Sequence, residues 1–250
     1  MTEKATTEAP SMTLLDHIEE LRKRLLVALI SLAVGVVISI FFGEKEVQLL
    51  TIPIGGLSQL QSIEITENIG VYMRVSLLSG VILAFPMVFY QLLMFILPGL
   101  TPREKRSVIV AIPFATFFFV GGVAFAYFVM LPSALPFLIN FLGVTTTPRL
   151  SSYISFITNL LFWVGVSFEL PLLVYVIARF GLVTPGGLLK YWRQAIVIIA
   201  ILAAVITPTV DPVNMALMML PLIVLYFISV LFAWIANRNR ATVEEDGEPT

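Results

Sequence analysis

Tyr153–Phe180 reads Y-I-S-F-I-T-N-L-L-F-W-V-G-V-S-F-E-L-P-L-L-V-Y-V-I-A-R-F, an apolar run whose only charged residues are Glu169 and Arg179. A bilayer crossing takes about 20 apolar residues as a helix. The run is long enough to cross, and Glu169 sits near its middle. A carboxylate at that depth costs at least about 2.5–3.5 kcal/mol on insertion scales, so it is expected to face a partner, a cavity or a pathway and not lipid. Two residues on, Pro171 removes a backbone donor and is expected to kink the helix. A kinked helix that carries a buried acid suggests a concave, water-accessible face. The structural alternative for Glu169 is a hydrogen bond between helices, with Gln91, Asn159 or Tyr127 as its partner.

The rest of the chain has the same character. Of its 250 residues 58% are hydrophobic and only 12% charged, where soluble domains carry about 25% charged residues. Five more apolar segments are expected besides Tyr153–Phe180: Leu25–Phe42, Val71–Leu97, Ser107–Leu131, Gln194–Ile206 and Val213–Ala236. Their hydrophobicity is continuous and not alternating, which favours helices over barrel strands. The fold class expected is therefore all-α: a polytopic membrane protein with six transmembrane helices in a concave, cupped arrangement. Residues 1–24 form a cytoplasmic amino-terminal segment, 25–236 the transmembrane domain and 237–250 a disordered acidic tail. Gln194–Ile206 is short for a span, and Pro221 is expected to interrupt the last helix.

Basic residues set the orientation. Arg22, Lys23 and Arg24 precede the first segment, Arg103, Lys105 and Arg106 separate the second from the third, Arg179, Lys190 and Arg193 the fourth from the fifth, and Arg238 and Arg240 follow the sixth. The other side has Lys45, Arg149 and, at the mouth of the second segment, Arg74. The positive-inside rule then places both termini in the cytoplasm. The first outside loop, Glu44–Gly70, contains Pro53, Gly55 and Gly56, which break regular structure and suit a cap. The second, Pro132–Leu150, holds Pro132, Pro136 and Pro148.

Several chemistries are excluded. There is no cysteine, and His17 is the single histidine. Thiol catalysis, thiolate metal sites and H-E-x-x-H zinc hydrolysis are absent. No metal or cofactor is expected, nor nucleic acid. One deep acid without a second, and without an internal repeat, gives little to a proton- or solute-coupled secondary transporter built on Glu169, which stays as the alternative function.

The motifs now resemble a known family. His17-Ile18-Glu19-Glu20-Leu21-Arg22-Lys23-Arg24-Leu25 resembles the H-L-x-E-L-R-x-R-L signature of TatC, the multispanning subunit of the twin-arginine protein translocase. The stretch Phe95 to Arg106 is similar to its F-x-x-P-G-L-x-x-x-E-[RK]-[RK] pattern, and Gly165 to Pro171 to its G-x-x-F-E-x-P. Thr207-Pro208 followed by Asp211 resembles a T-P-x-x-D loop, and Ala126-Tyr127-Phe128 and Pro53 also fit. Met215 stands where the family often has glutamine.

The resemblance implies a receptor for twin-arginine signal peptides of folded cargo, without enzymatic activity, in the inner (plasma) membrane of a prokaryote. It implies single-span TatA- and TatB-type partners, contact with membrane lipids, self-association in a larger complex, and transport driven by the proton-motive force. It implies that Glu104 and Glu20 recognise the arginine pair. Physically, carboxylates suit that task because guanidinium pairs with them bidentately, as lysine cannot. Arg22 and Phe95 are placed with them in the binding surface. For Arg22 the alternative is a topology and headgroup anchor, and for Phe95 it is packing. Glu169 and Pro171 are the intramembrane pair. Pro53, Tyr127, Asp211 and Asn214 are partner or structural positions, Asp211 with helix capping as its alternative.

Overall fold

The computed structural model describes residues 14–96, 102–140, 147–206 and 212–245. The described residues are helical, with one isolated bridge, Gln61 to Arg149, and no strand. In chain order the helices are α1 (Leu14–Ile40), α2 (Gly43–Thr51), α3 (Glu67–Ile96), α4 (Pro102–Phe125), α5 (Leu131–Ile139), α6 (Leu150–Ser167), α7 (Leu170–Arg179), α8 (Pro185–Lys190), α9 (Trp192–Ile206) and α10 (Pro212–Glu245). A π-helical turn, Ala126–Met130, joins α4 to α5.

Five runs are long and apolar enough to cross a membrane: His17–Ile40, Glu67–Phe95, Ile112–Ile139, Leu150–Arg179 and Met215–Arg238. The expected crossing at Gln194–Ile206 is apolar but belongs to a helix of 15 residues, about 22 Å at 1.5 Å per residue and short of a core near 30 Å.

Three expectations are corrected. The helical run on α4 does not stop at Leu131 but continues to Ile139, so Pro132 and Pro136 lie in helix and not in a loop. The π turn makes this possible: Pro132 falls in the first turn of the helix after it, where a missing amide leaves nothing unpaired. Pro221 sits inside α10 without ending it, as prolines do in membrane helices when neighbours re-satisfy the backbone. The last helix also runs past Ala236 to Glu245, so most of the stretch expected to be a disordered tail is helical, and 246–250 lie outside the described residues.

The tightest packing is between α1 and α3. Along α1 the small residues Gly35, Ser39 and Gly43 recur every four positions into the start of α2, and Ser76, Gly80 and Ala84 do so along α3, all of them buried. A Cβ at Gly35 would lie 2.5 Å from the Gly80 carbonyl oxygen, and one at Gly80 would lie 2.6 Å from Cα of Val36. Backbone thus meets backbone. This is how helices associate in lipid, where apolar burial between them gives little drive and small residues allow close approach. Elsewhere α10 packs on α7, α4 on α6 and α3 on α6. The main core gathers Val75, Leu131, Ile154, Ile157 and Met218, all nearly or fully out of solvent.

Gly80→Ala should destabilise the purified protein by about 1–3 kcal/mol, the range for overpacking a tight core. Gly70→Ala, where a Cβ meets nothing within 4 Å, should change little. Equal thermal denaturation of the two variants would show that the α1–α3 seam is not closed by backbone contact.

Candidate functional site

The amino-terminal end of α1 and the carboxy-terminal end of α3 meet side by side. His17 stacks on Phe95, ring centroids 4.5 Å apart and planes 25° apart. One turn on, Arg24 donates to Oε1 of Glu20 at 3.2 Å and to Oε1 of Gln91 at 3.3 Å. This pairing follows helical spacing: Glu20 and Arg24 are i, i+4. Glu20 is thereby drawn towards α3, and its side chain is only 19% exposed. Its second oxygen, Oε2, is buried without a hydrogen-bond partner. Glu19 differs: it pairs with Lys23 at 2.8 Å in open solvent, 65% exposed. Arg22 is exposed, so Arg24 and not Arg22 orients Glu20. Two residues on, Arg22 points off that face, whereas four residues on, Arg24 lies along it.

Glu104 lies in the first turn of α4, and its side chain is outside the described residues. Asp211 also lies outside them, and Asn214 is described only as helical backbone of α10. Pro98, Gly99 and Thr101 are outside them as well.

Glu169 sits where α6 ends and α7 begins, with Phe168 and Glu169 as the break and the buried Pro171 in the first turn of α7. Two glycine contacts bring α4 against this break. A Cβ at Gly122 would lie 2.7 Å from the Phe168 ring, and one at Gly165 would lie 3.0 Å from the Phe119 ring. Phe119 in turn stacks on Phe85 at 3.8 Å. Glu169 is buried, 8% exposed. Both its carboxyl oxygens are out of solvent, and neither has a hydrogen-bond partner among the described residues. The hydrogen bonds to Gln91, Asn159 or Tyr127 are therefore not made. Gln91 is committed to Arg24 near one end of the bundle, and Tyr127 donates to the Leu49 carbonyl at 2.7 Å near the other.

The Tyr127 bond belongs to a second polar assembly, on the face opposite the amino terminus. Tyr127 and Tyr153 donate to carbonyls in the last turn of α2, at Leu49, which also accepts the Ile52 amide, and at Leu50. Pro53 lies in a single 3-10 turn, Ile52–Ile54, and Gly55 and Gly56 follow it with φ of 96° and 97°, a left-handed region that glycine adopts without penalty. Beyond the turn, Glu67 accepts from the amides of Ile63, Glu64 and Ser151 and from Nε of Arg149. Arg149 also pairs with Glu64 at 2.7 Å. That bond first, and the Glu67 bond next, push its guanidinium further above its ordinary value. Backbone bonds between Gln61 and both Pro148 and Leu150 close the link. The two loops of this face are thus clamped together.

This clamp was not read from the sequence. The signal was Glu64-Ile-Thr-Glu67 before an apolar run, an acid placed to reach back three residues to an amide, as in a capping box. Arg24, Gln91 and the His17–Phe95 stack were missed too. The i, i+4 pair Glu20–Arg24 could have been found, but the reach to Gln91 is tertiary.

The family model for the Sec-independent protein translocase protein (TatC) matches residues 16–221. A Sec-independent protein translocase protein TatC of Deinococcus radiodurans is 39% identical over 238 residues, 92% of this chain and 88% of that protein. The TatC of Aquifex aeolicus is 35% identical over 243 residues, 94% of this chain and all of that one. A crystal structure of a twin-arginine translocase receptor, TatC, superposes with a TM-score of 0.77 at 34% identity, covering 88% of this chain and 99% of that one. A second, in DDM, gives 0.79 at 33%, covering 87% and 99%.

Two outcomes test this geometry. Because neither Glu169 oxygen makes a hydrogen bond of normal geometry among the described residues, Glu169→Leu should keep or raise the thermal stability of the purified protein, since a buried unpaired polar group is replaced by an apolar one. A marked fall would reveal a hidden structural bond. Burial pushes the Glu46 carboxyl in α2 above 4.5, with the Ser79 hydroxyl pulling the other way. An acid raised on folding favours the fold below pH 4.5 and loses that contribution as pH rises through its folded value. Glu46→Gln should therefore stabilise at pH 7 and not at pH 4, and an equal effect at both would refute this.

Proposed function

The chain belongs to the TatC family, and we propose that the face formed by the ends of α1 and α3 captures the arginine pair of twin-arginine signal peptides. The protein is the multispanning core subunit of a twin-arginine translocase and not an enzyme. It is a multi-pass membrane protein of prokaryotic type.

One observation carries the reading of the site. Oε2 of Glu20 is buried and unpaired, while Arg24 holds Oε1. A carboxylate fixed in this way lacks one charged donor, and an incoming guanidinium supplies it at Oε2. Glu104, at the start of α4, is the second acid of the capture surface, with Phe95 and Arg22 flanking it. Exposed ion pairs contribute only about 0–1 kcal/mol each, so the apolar stretch of the signal must add affinity along the helices towards Glu169. We place both termini in the cytoplasm, on the positive-inside pattern, with α9 as a sixth and short crossing. A helix shorter than the bilayer thins it locally or recruits neighbours. Single-span TatA- and TatB-type subunits, other copies of this chain, and lipids are the expected neighbours, in a cupped assembly driven by the proton-motive force. Asp211 and Asn214, which follow α9 in the sequence, are our candidates for that contact.

Binding of a synthetic signal peptide to the detergent-purified protein tests the capture surface. Glu20→Ala and Glu104→Ala should each weaken binding by about tenfold or more, the value of a charge-assisted hydrogen bond. Glu19→Ala should leave it unchanged. Equal affinity for Arg-Arg and Lys-Lys peptides would overturn the reading. Glu169→Leu should still capture the peptide but fail to support export by the reconstituted translocase.

A further inference from the structure

The face that carries α2 holds more than a clamp. We propose that it binds one zwitterionic phospholipid of the phosphoethanolamine class, with the phosphate on Arg74 and the ammonium on Glu64. This is independent of signal-peptide capture, which uses the other end of the bundle.

Arg74 lies seven residues into α3, about 10 Å past Glu67, among the apolar residues Val71, Met73, Val75 and Leu77. Its guanidinium donates to the Ser155 hydroxyl, and no carboxylate pairs with it among the described residues. It is exposed. A cation in an apolar span is expensive unless it reaches the headgroup layer, where lipid phosphate is its natural counter-ion.

A cleft of about 400 Å³ opens beside it, lined by Arg74, Ser151, Ser155, Glu64, Glu67 and Arg149. Not all of these are free to bind. Glu67 already accepts four bonds, and Arg149 is shared between Glu64 and Glu67. That leaves Arg74 as donor and Glu64, whose side chain is 63% exposed, as acceptor. The four charged groups sum to zero, so a plain anion gains little from the cleft as a whole. A headgroup with both signs matches it: phosphate oxygens take the guanidinium and the Ser155 hydroxyl, and a primary ammonium donates to Glu64.

The tail also has a place. A second cavity, of about 500 Å³, is lined by Ile54, Leu135, Leu138, Ile139 and Phe156 and shares Ser151 and Ser155 with the cleft. An apolar chamber joined to a charged one at two serines is the shape of a site for an amphiphile. In the orientation proposed above, this lipid comes from the outer leaflet.

Native mass spectrometry of the full chain, released from detergent with equal amounts of dioleoyl phosphatidylethanolamine, phosphatidylglycerol and phosphatidylcholine, tests the site. The phosphatidylethanolamine adduct should dominate. Arg74→Gln should lower its retention by about tenfold, the loss of a charge-assisted pair, whereas Lys45→Gln, a cation exposed on the same face, should not. Glu64→Gln should remove the preference over phosphatidylglycerol. Ser155→Ala, a smaller change, should weaken retention in the same direction if Arg74→Gln does not fold. Unchanged retention in Arg74→Gln, or in Ser155→Ala where that variant stands in, overturns the proposal. Displacement of the lipid by inorganic phosphate alone, or equal retention of all three lipids, also overturns it.

Discussion

The backbone contact between Gly35 and Gly80 is the constraint on which the two polar ends of the bundle depend. Lipid offers no hydrophobic reward for pressing two helices together, so α1 and α3 are held by dispersion along a seam of small residues. Once that seam is in register, both ends are determined. Towards the start of α1, Glu20 and Arg24 come opposite Gln91, and His17 opposite Phe95. Towards its end, Tyr72 reaches the Ile40 carbonyl, and Gly43 admits the Tyr72 ring. A slip of one turn along either helix would separate Arg24 from Gln91.

The second fixed point is the break between α6 and α7. Pro171 has no amide to give to an unbroken helix, and the Phe168 ring is received by Gly122 on α4. The break thus occurs against a neighbour shaped for it. Its consequence is that Glu169 stands at the joint, with its carboxyl unpaired among apolar and aromatic side chains. Such an arrangement is unfavourable for stability, and folding alone gives no reason to retain it.

Much of this was legible in the sequence, for a physical reason. Continuous apolar runs leave the backbone no option but helix, so the segments containing Val75, Ile157 and Leu222 were readable, as was the break at Pro171. What escaped was set by geometry beyond the sequence period. The run through Pro132 to Ile139 depends on a π turn at Ala126–Met130 that has no sequence signal of its own. Glu20 pairs with Arg24 at i, i+4 spacing, but the reach of Arg24 on to Gln91 is tertiary and has no mark in the local pattern. The Glu67–Arg149 clamp joins residues 82 positions apart, a separation over which pattern reading has no purchase.

The buried polar atoms divide into those the fold satisfies and those it leaves unpaired. Glu67 accepts four hydrogen bonds and has no capacity left, which is what a buried acid needs in order to hold two loops together. Tyr127 and Tyr153 are likewise spent, on the carbonyls of α2. By contrast, among the described residues Glu20 has one buried oxygen without a partner and Glu169 has two, and Oε2 of Glu46, the hydroxyls of Ser39 and Ser76 and one guanidinium nitrogen of Arg179 are also unpartnered. Buried polar groups in native proteins are nearly always paired, so those left unpaired call for a reason. Glu20 and Glu169 lie in the segments that match the family motifs, one at the end of the bundle and one in its middle. On the function proposed above, a ligand with two guanidinium groups followed by an apolar stretch meets Glu20 first and Glu169 second. Glu67 cannot take part, because its bonding capacity is already filled by the fold.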